Sequence, residues 1–193
     1  MGHSQAAKTE THAKIVKMAA KKLRERGLDG IGVAELMDGA GLTVGGFYKH
    51  FESREALVAE ALTSIESVWR DEIETAREKG TSDTKIYGEL LERYLSEPHR
   101  DHPGKGCLFA ALAPDIARSG KPVREAATER FERGLSLLGG LFGESKDARA
   151  HAIFAFSAMV GAVSLARMVN DEALSKELLS TVAKALKKKA NAP

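Results

Sequence analysis

The stretch Val33-Ala-Glu-Leu-Met-Asp-Gly-Ala-Gly-Leu-Thr-Val-Gly-Gly-Phe-Tyr-Lys-His-Phe51 decides how the rest of the chain is read. Its apolar spacing predicts one short helix from about Val33 to Ala40 and a second from about Thr43 to His50. Helices of that length are marginal alone, so they must share a core, which Leu36, Met37, Ala40, Leu42, Phe47 and Phe51 supply. Gly41 allows the sharp turn between them. Thr43, Val44, Gly45, Gly46, Tyr48, Lys49 and His50 are left on the outside of the second helix.

Two short helices across a glycine turn are the pattern of a helix-turn-helix, which lays its second helix in the major groove of DNA. The base-facing end is small here, so the backbone can come close to the duplex. Val44 suits a thymine methyl, and Thr43 a phosphate or a base edge. Tyr48, Lys49 and His50 are phosphate-binding types, and Arg54 opens the following helix at the same edge. The chain as a whole carries only +2, so no global basicity points to nucleic acid. Residues 1–54 nevertheless hold nine basic side chains against six acidic ones, and a reader of DNA needs positive charge on one face only.

Working outward, residues 9–26 place Ile15, Ala19 and Leu23 on one stripe and Lys14, Lys17, Lys21 and Arg24 opposite, with Gly27 as the terminating glycine. Ser53 caps a long helix that the pattern carries to Glu78, where Gly80-Thr-Ser-Asp breaks it. Further helices are expected near 84–96, 106–119, 122–142, 147–170 and 172–189, with 97–106 as the longest loop. No run alternates with period two over strand length. The expected fold is all-α: a helix-turn-helix domain over 1–52, joined by the long helix to a helical effector-binding and dimerisation domain over 53–193.

The segment Gly41-Leu-Thr-Val-Gly-Gly-Phe-Tyr-Lys-His-Phe-Glu-Ser-Arg-Glu-Ala-Leu57 resembles the signature of TetR-family transcriptional regulators, over roughly residues 10–60. The resemblance implies three DNA-binding helices and a fourth that links them to a helical domain for dimerisation and effector binding. It also implies a repressor that leaves a palindromic operator when a small molecule binds. Two positions depart from the common pattern. Gly32 stands where a Ser or Thr often caps the second helix and contacts a phosphate, and Val44 where a polar or basic side chain is common.

Helix 150–167 is apolar nearly all round, which calls for burial on every side. A two-fold partner would provide it, with Ala158, Gly161, Ala162 and Ser164 allowing close approach and the last helix completing a four-helix dimer bundle. Two copies would also present two recognition helices to half-sites. At about 17 residues with His151, Ser157 and Ser164 inside, the stretch falls short of a membrane span, which needs roughly 20 apolar residues. No apolar signal stretch leads the sequence, so the expected compartment is the cytosol.

Candidates for an effector pocket are Trp69, Tyr87, Tyr94, Cys107, Phe109, Leu112, Phe131, Phe154 and Met159, which suit an apolar or aromatic small molecule. Cys107 is the only cysteine, so no intramolecular disulfide forms. Near a helix start and after Lys105, it is a candidate thiol sensor of electrophiles or oxidants. His99 and His102 lack a fourth ligand and a settled geometry, so they are read as loop polarity and no metal or cofactor is expected. No phosphate loop, nucleophile elbow or acid–base relay points to an enzyme. The rival from a different class is a helical adaptor that keeps the motif without binding DNA.

Overall fold

Helix α1 (Gln5–Arg26) buries Ile15, Val16, Ala19, Ala20 and Leu23, one stripe of its surface, and leaves its lysines outside. It ends where Gly27 takes φ +78° and donates to the Leu23 carbonyl at 2.9 Å, the left-handed stop that only glycine adopts cheaply. The computed structural model describes residues 5–30, 32–64 and 68–190. Among the described residues the regular structure comprises ten α-helices and three short 3₁₀ helices, with no strand.

These elements form two compact units, neither continuous in sequence. The first comprises the described residues of 1–66 together with 111–130, and the second those of 67–110 together with 131–193. In the first unit, α1 packs on α3 (Arg54–Ser64) and α2 (Val33–Gly39). Ser53 caps α3, its Oγ accepting from the Ala56 N–H at 3.0 Å. Leu36, Met37, Phe47, Phe51, Leu57 and Leu62 close the core. The first unit also takes the C-terminal part of α7 (Leu108–Arg118) and the front of α8 (Lys121–Gly139). Asp115 Oδ2 there accepts from the Leu28 N–H at 3.1 Å, just beyond the end of α1.

In the second unit, α9 (Ala148–Met168) and α10 (Glu172–Ala190) form the most extensive helix pair, with α5 (Asp83–Tyr94) against α10 and α4 (Val68–Glu78) against α5. Ala152, Ala155, Phe156, Met159, Ala162, Val163 and Ala166 line the buried side of α9. The other side leaves Phe154 50% and Met168 72% exposed, with Ile153, Leu165 and, on α10, Leu174 also open. Helix α9 is long and apolar enough to cross a membrane by length and composition alone, but its buried stripe belongs to the core of the second unit.

Two expectations need correction. The second helix of the motif is a 3₁₀ helix over Val44–Lys49, not an α-helix. The Gly46 N–H bonds to the Thr43 carbonyl and the His50 N–H to that of Phe47, both at 2.9 Å. Consecutive glycines lower α-helical propensity, and a single tight turn suffices to seat Phe47. Segment 97–106 is not a plain loop: it holds α6 (Glu97–Asp101) and a 3₁₀ turn at Pro103–Lys105. Ser96 caps α6 and Pro98 sits in its first turn, where a missing N–H costs nothing. The expected run of one helix from Ser53 to Glu78 passes through residues 65–67, which lie outside the described residues.

Candidate functional site

The turn that aims the recognition helix is built at Gly41, with φ +77° and its N–H bonded to the Asp38 carbonyl at 2.8 Å. Phe47 then pins the helix from beneath: it is 1% exposed and meets the Phe51 ring at 5.4 Å between centroids. With one side fixed, the other faces outward. Tyr48 is 76% and Val44 51% exposed, and Thr43, Gly45 and Lys49 are also exposed. Thr43 sits at the N-cap position without making a side-chain cap bond, so its hydroxyl is not used there. Gly46 is half-buried over Met37.

Two of the sequence candidates turn partly inward. His50 is half-buried, its ring 5.9 Å from that of His12, and its Nδ1 is buried without a hydrogen-bond partner. Burial, with His12, Lys8 and Lys49 nearby, holds its pKa below the usual histidine value. Arg54 is half-buried and donates from Nη2 to the Leu28 carbonyl, so it also ties α3 to the segment after α1. Beside them, His12 Nε2 meets Glu60 Oε1 at 2.6 Å while its ring stacks on Phe51 at 4.5 Å. At the other end of the module, Glu35 joins Lys22 and Arg26, the latter from Nη1 at 2.9 Å. Gly32 caps α2 with backbone alone, in an extended conformation.

This geometry is matched by a known family. Residues 15–61 fit the sequence family described as bacterial regulatory proteins, tetR family. Over that stretch the chain is similar to the tetR family. The match spans the helix-turn-helix module described above. The HTH-type transcriptional repressor DhaR of Mycobacterium sp. (strain GP1) is 25% identical over 127 residues, 66% of this chain and 63% of that protein. The chain thus matches less than two thirds of that curated relative.

Solved structures extend the TetR fold over almost the whole length. The reduced form of NemR from E. coli has a TM-score of 0.79 at 19% identity, covering 93% of this chain and 96% of that one. A TetR-family regulator from Agrobacterium tumefaciens has a TM-score of 0.74 at 16% identity, covering 95% and 99%. At these identities the likeness establishes the fold alone.

Within the second unit, four of the pocket candidates meet around a residue not among them, Phe156. Trp69 lies 5.4 Å from its ring, Phe109 5.8 Å and Phe131 5.1 Å, while Tyr94 joins through Trp69 at 5.7 Å. Met159 is wholly buried in the same core. Tyr87 pairs instead with Phe142 at 5.0 Å. Phe154 lies on the surface with Lys189 Nζ 4.0 Å over its ring, and Leu112 belongs to the first unit. A surface groove along Thr84, Tyr87, Gly88, Glu92 and Lys187 is crossed by the Lys187–Glu92 pair and does not include the aromatic cluster.

The signal for Phe156 was in the sequence: Ala152, Ala155, Phe156, Met159, Ala162, Val163 and Ala166 follow helical spacing, and Phe154 falls off that stripe. Cys107 is half-buried immediately before α7, and its N–H donates to His99 Nε2 at 2.9 Å. That bond leaves the proton on Nδ1, which donates to the Tyr94 carbonyl at 2.6 Å. His99 is thus a structural neutral imidazole, its pKa lowered chiefly by burial. No group of residues suited to hold a metal occurs among the described residues.

Proposed function

We propose that the chain is a dimeric transcriptional repressor that binds a palindromic operator and leaves it when a small molecule binds the second unit. The observation that carries this reading is the recognition helix: Phe47 fixes its inner side, and Thr43, Val44, Tyr48 and Lys49 stand exposed on the outer one. The open face of α9 and α10, with Ile153, Phe154, Leu165, Met168 and Leu174, supports a second copy as partner, since one helix-turn-helix reads too few base pairs alone. Operator release requires that the effector prefer the arrangement that fits DNA poorly. The place of action is the cytoplasm, with the DNA.

A mobility-shift titration against the DNA upstream of the chain's own gene, at stated salt, tests this reading. Tyr48→Ala and Lys49→Ala are each expected to weaken binding about tenfold, the loss of a good contact. Lys49→Ala should also lower the salt slope by about one. Unchanged affinity in both variants would overturn the groove assignment. Wild-type protein that binds no DNA would favour a helical adaptor.

A second reading makes Cys107 the switch. The thiol lies beside the Tyr94 hydroxyl and within electrostatic reach of Arg167. Hydrogen peroxide or N-ethylmaleimide would then release wild-type protein from DNA and leave Cys107→Ser bound. Equal release of both eliminates the thiol.

A further inference from the structure

Two arginines in the second unit meet opposite fates. Arg100 is fully served: Nε donates to Asp101 Oδ1 at 2.6 Å, Nη1 to Ser175 Oγ at 2.8 Å and Nη2 to Glu172 Oε1 at 3.2 Å. Arg167, near the end of α9, donates from Nε to the Arg100 carbonyl at 2.9 Å and from Nη2 to the His99 carbonyl at 2.8 Å. Its remaining nitrogen, Nη1, is buried without a hydrogen-bond partner. Burial lowers its pKa, against the opposing influence of Cys107, Tyr94 and Asp101 nearby. Arg167 as a whole is half-buried, but a guanidinium nitrogen left inside without an acceptor is costly.

The second orphaned group is close by. Tyr94 is 4% exposed, and its buried hydroxyl has only the Cys107 thiol beside it, with no nitrogen or oxygen acceptor in hydrogen-bond reach. Phenol and guanidinium act on each other electrostatically. Gly106 makes room for this arrangement, since a Cβ there would lie 2.9 Å from His99 Nε2 and 3.0 Å from Arg167 Nη2. From the Tyr94 ring the aromatic run continues through Trp69 to Phe156, Phe109 and Phe131. Unsatisfied donors at one end and aromatic surface at the other complement a molecule with an anionic head and an apolar body.

We propose that the effector is an organic carboxylate whose oxygens accept hydrogen bonds from Arg167 Nη1 and the Tyr94 hydroxyl, with its apolar body against Trp69, Phe109, Phe131 and Phe156. This rests on the effector-responsive reading above and narrows the ligand class from apolar to acidic and apolar.

Trp69 is the only tryptophan, so its emission reports on the site directly. The test titrates full-length protein, wild type and Cys107→Ser, at pH 7.5 with benzoate, 4-phenylbutyrate and decanoate, and with the matching amides. At least one acid should change Trp69 emission saturably and raise the melting temperature, with its amide at least tenfold weaker. Arg167→Met should erase the difference between acid and amide, Arg167→Lys should keep part of it, and Tyr94→Phe should weaken the acid severalfold without affecting the amide. Should Arg167→Met fail to fold, the Arg167→Lys and Tyr94→Phe titrations decide alone. An amide that binds as tightly as its acid, or acid preference untouched by Tyr94→Phe and by Arg167→Met, overturns the carboxylate assignment while leaving an effector site in place. No saturable change with any of the six, in protein that still binds its DNA, removes the effector site from this cluster altogether.

Discussion

Gly41 and Gly45 lie four positions apart and answer to different demands. Gly41 has φ +77°, where a Cβ costs about 1–2 kcal/mol. Gly41→Ala should therefore lower the melting temperature by several degrees, at roughly 2–4 °C per kcal/mol for a chain of this size. Gly45 has an ordinary φ, and a Cβ there meets nothing within 4 Å, so the protein itself does not require glycine. Gly45→Ala should melt like wild type yet bind DNA more weakly, because the missing side chain lets the backbone approach the groove. Undiminished DNA affinity would refute that close approach.

Histidines give a second prediction at this scale. His99 and His50 have pKa values lowered from 6.5, in both cases chiefly by burial. The folded protein keeps them neutral while the unfolded chain takes up protons first. Stability is therefore level above about pH 7 and falls as pH drops through 6.5. The carboxylates held in ion pairs, such as Glu35 and Asp101, are shifted downward and add their own losses only at lower pH. Thermal melts at pH 8, 6.5 and 5 check this, and His99→Gln should flatten the decline. A melting temperature constant across that range would exclude the histidine contribution.

At the scale of elements, α2 starts without a side-chain cap because Gly32 holds that position, with open space around its missing Cβ. Gly32→Ser supplies an acceptor for an orphan N–H of the first turn, worth a few tenths of a kcal/mol over glycine. It also adds a hydroxyl donor for phosphate. The expected outcome is a slightly higher melting temperature with tighter operator binding at all sequences, measured by mobility shift. Weaker binding would mean that this edge faces away from the duplex.

Elements also show what could be read in advance. Helix ends at Gly27 and Gly80, the Ser53 cap and the Gly41 turn were legible because each depends on one residue type in one backbone conformation. The 3₁₀ winding of Val44–Lys49 was not, since apolar spacing over a single turn does not separate i+3 from i+4 bonding. Helix α6 was hidden in a Pro- and Gly-rich segment because its anchors, Ser175 and Glu172, lie more than seventy positions away on or beside α10. Arg167 went unnoticed for the same reason: nothing local marks an arginine whose partners are the carbonyls of residues 99 and 100.

For the molecule as a whole, the exposed apolar face of α9 and α10 bears on assembly. Phe154→Glu with Met168→Glu places two charges where a second copy would desolvate them. Sedimentation should show a dimer for wild type and a monomer for the double variant, with operator affinity lost in parallel. A double variant that stays dimeric would move the interface elsewhere.

The path of the chain between its two units has a practical consequence for building chimeric sensors. Because 111–130 belongs with the DNA-binding unit, Asp115 accepts from Leu28 N–H and Gly27 approaches so closely that a Cβ there would lie 2.8 Å from Asp115 Oδ2. A fragment cut after residue 66 loses these partners, as would a graft that replaces everything beyond one junction. Exchange of the second unit needs three junctions, after residue 66, inside α7 and inside α8, so that 111–130 travels with the first unit.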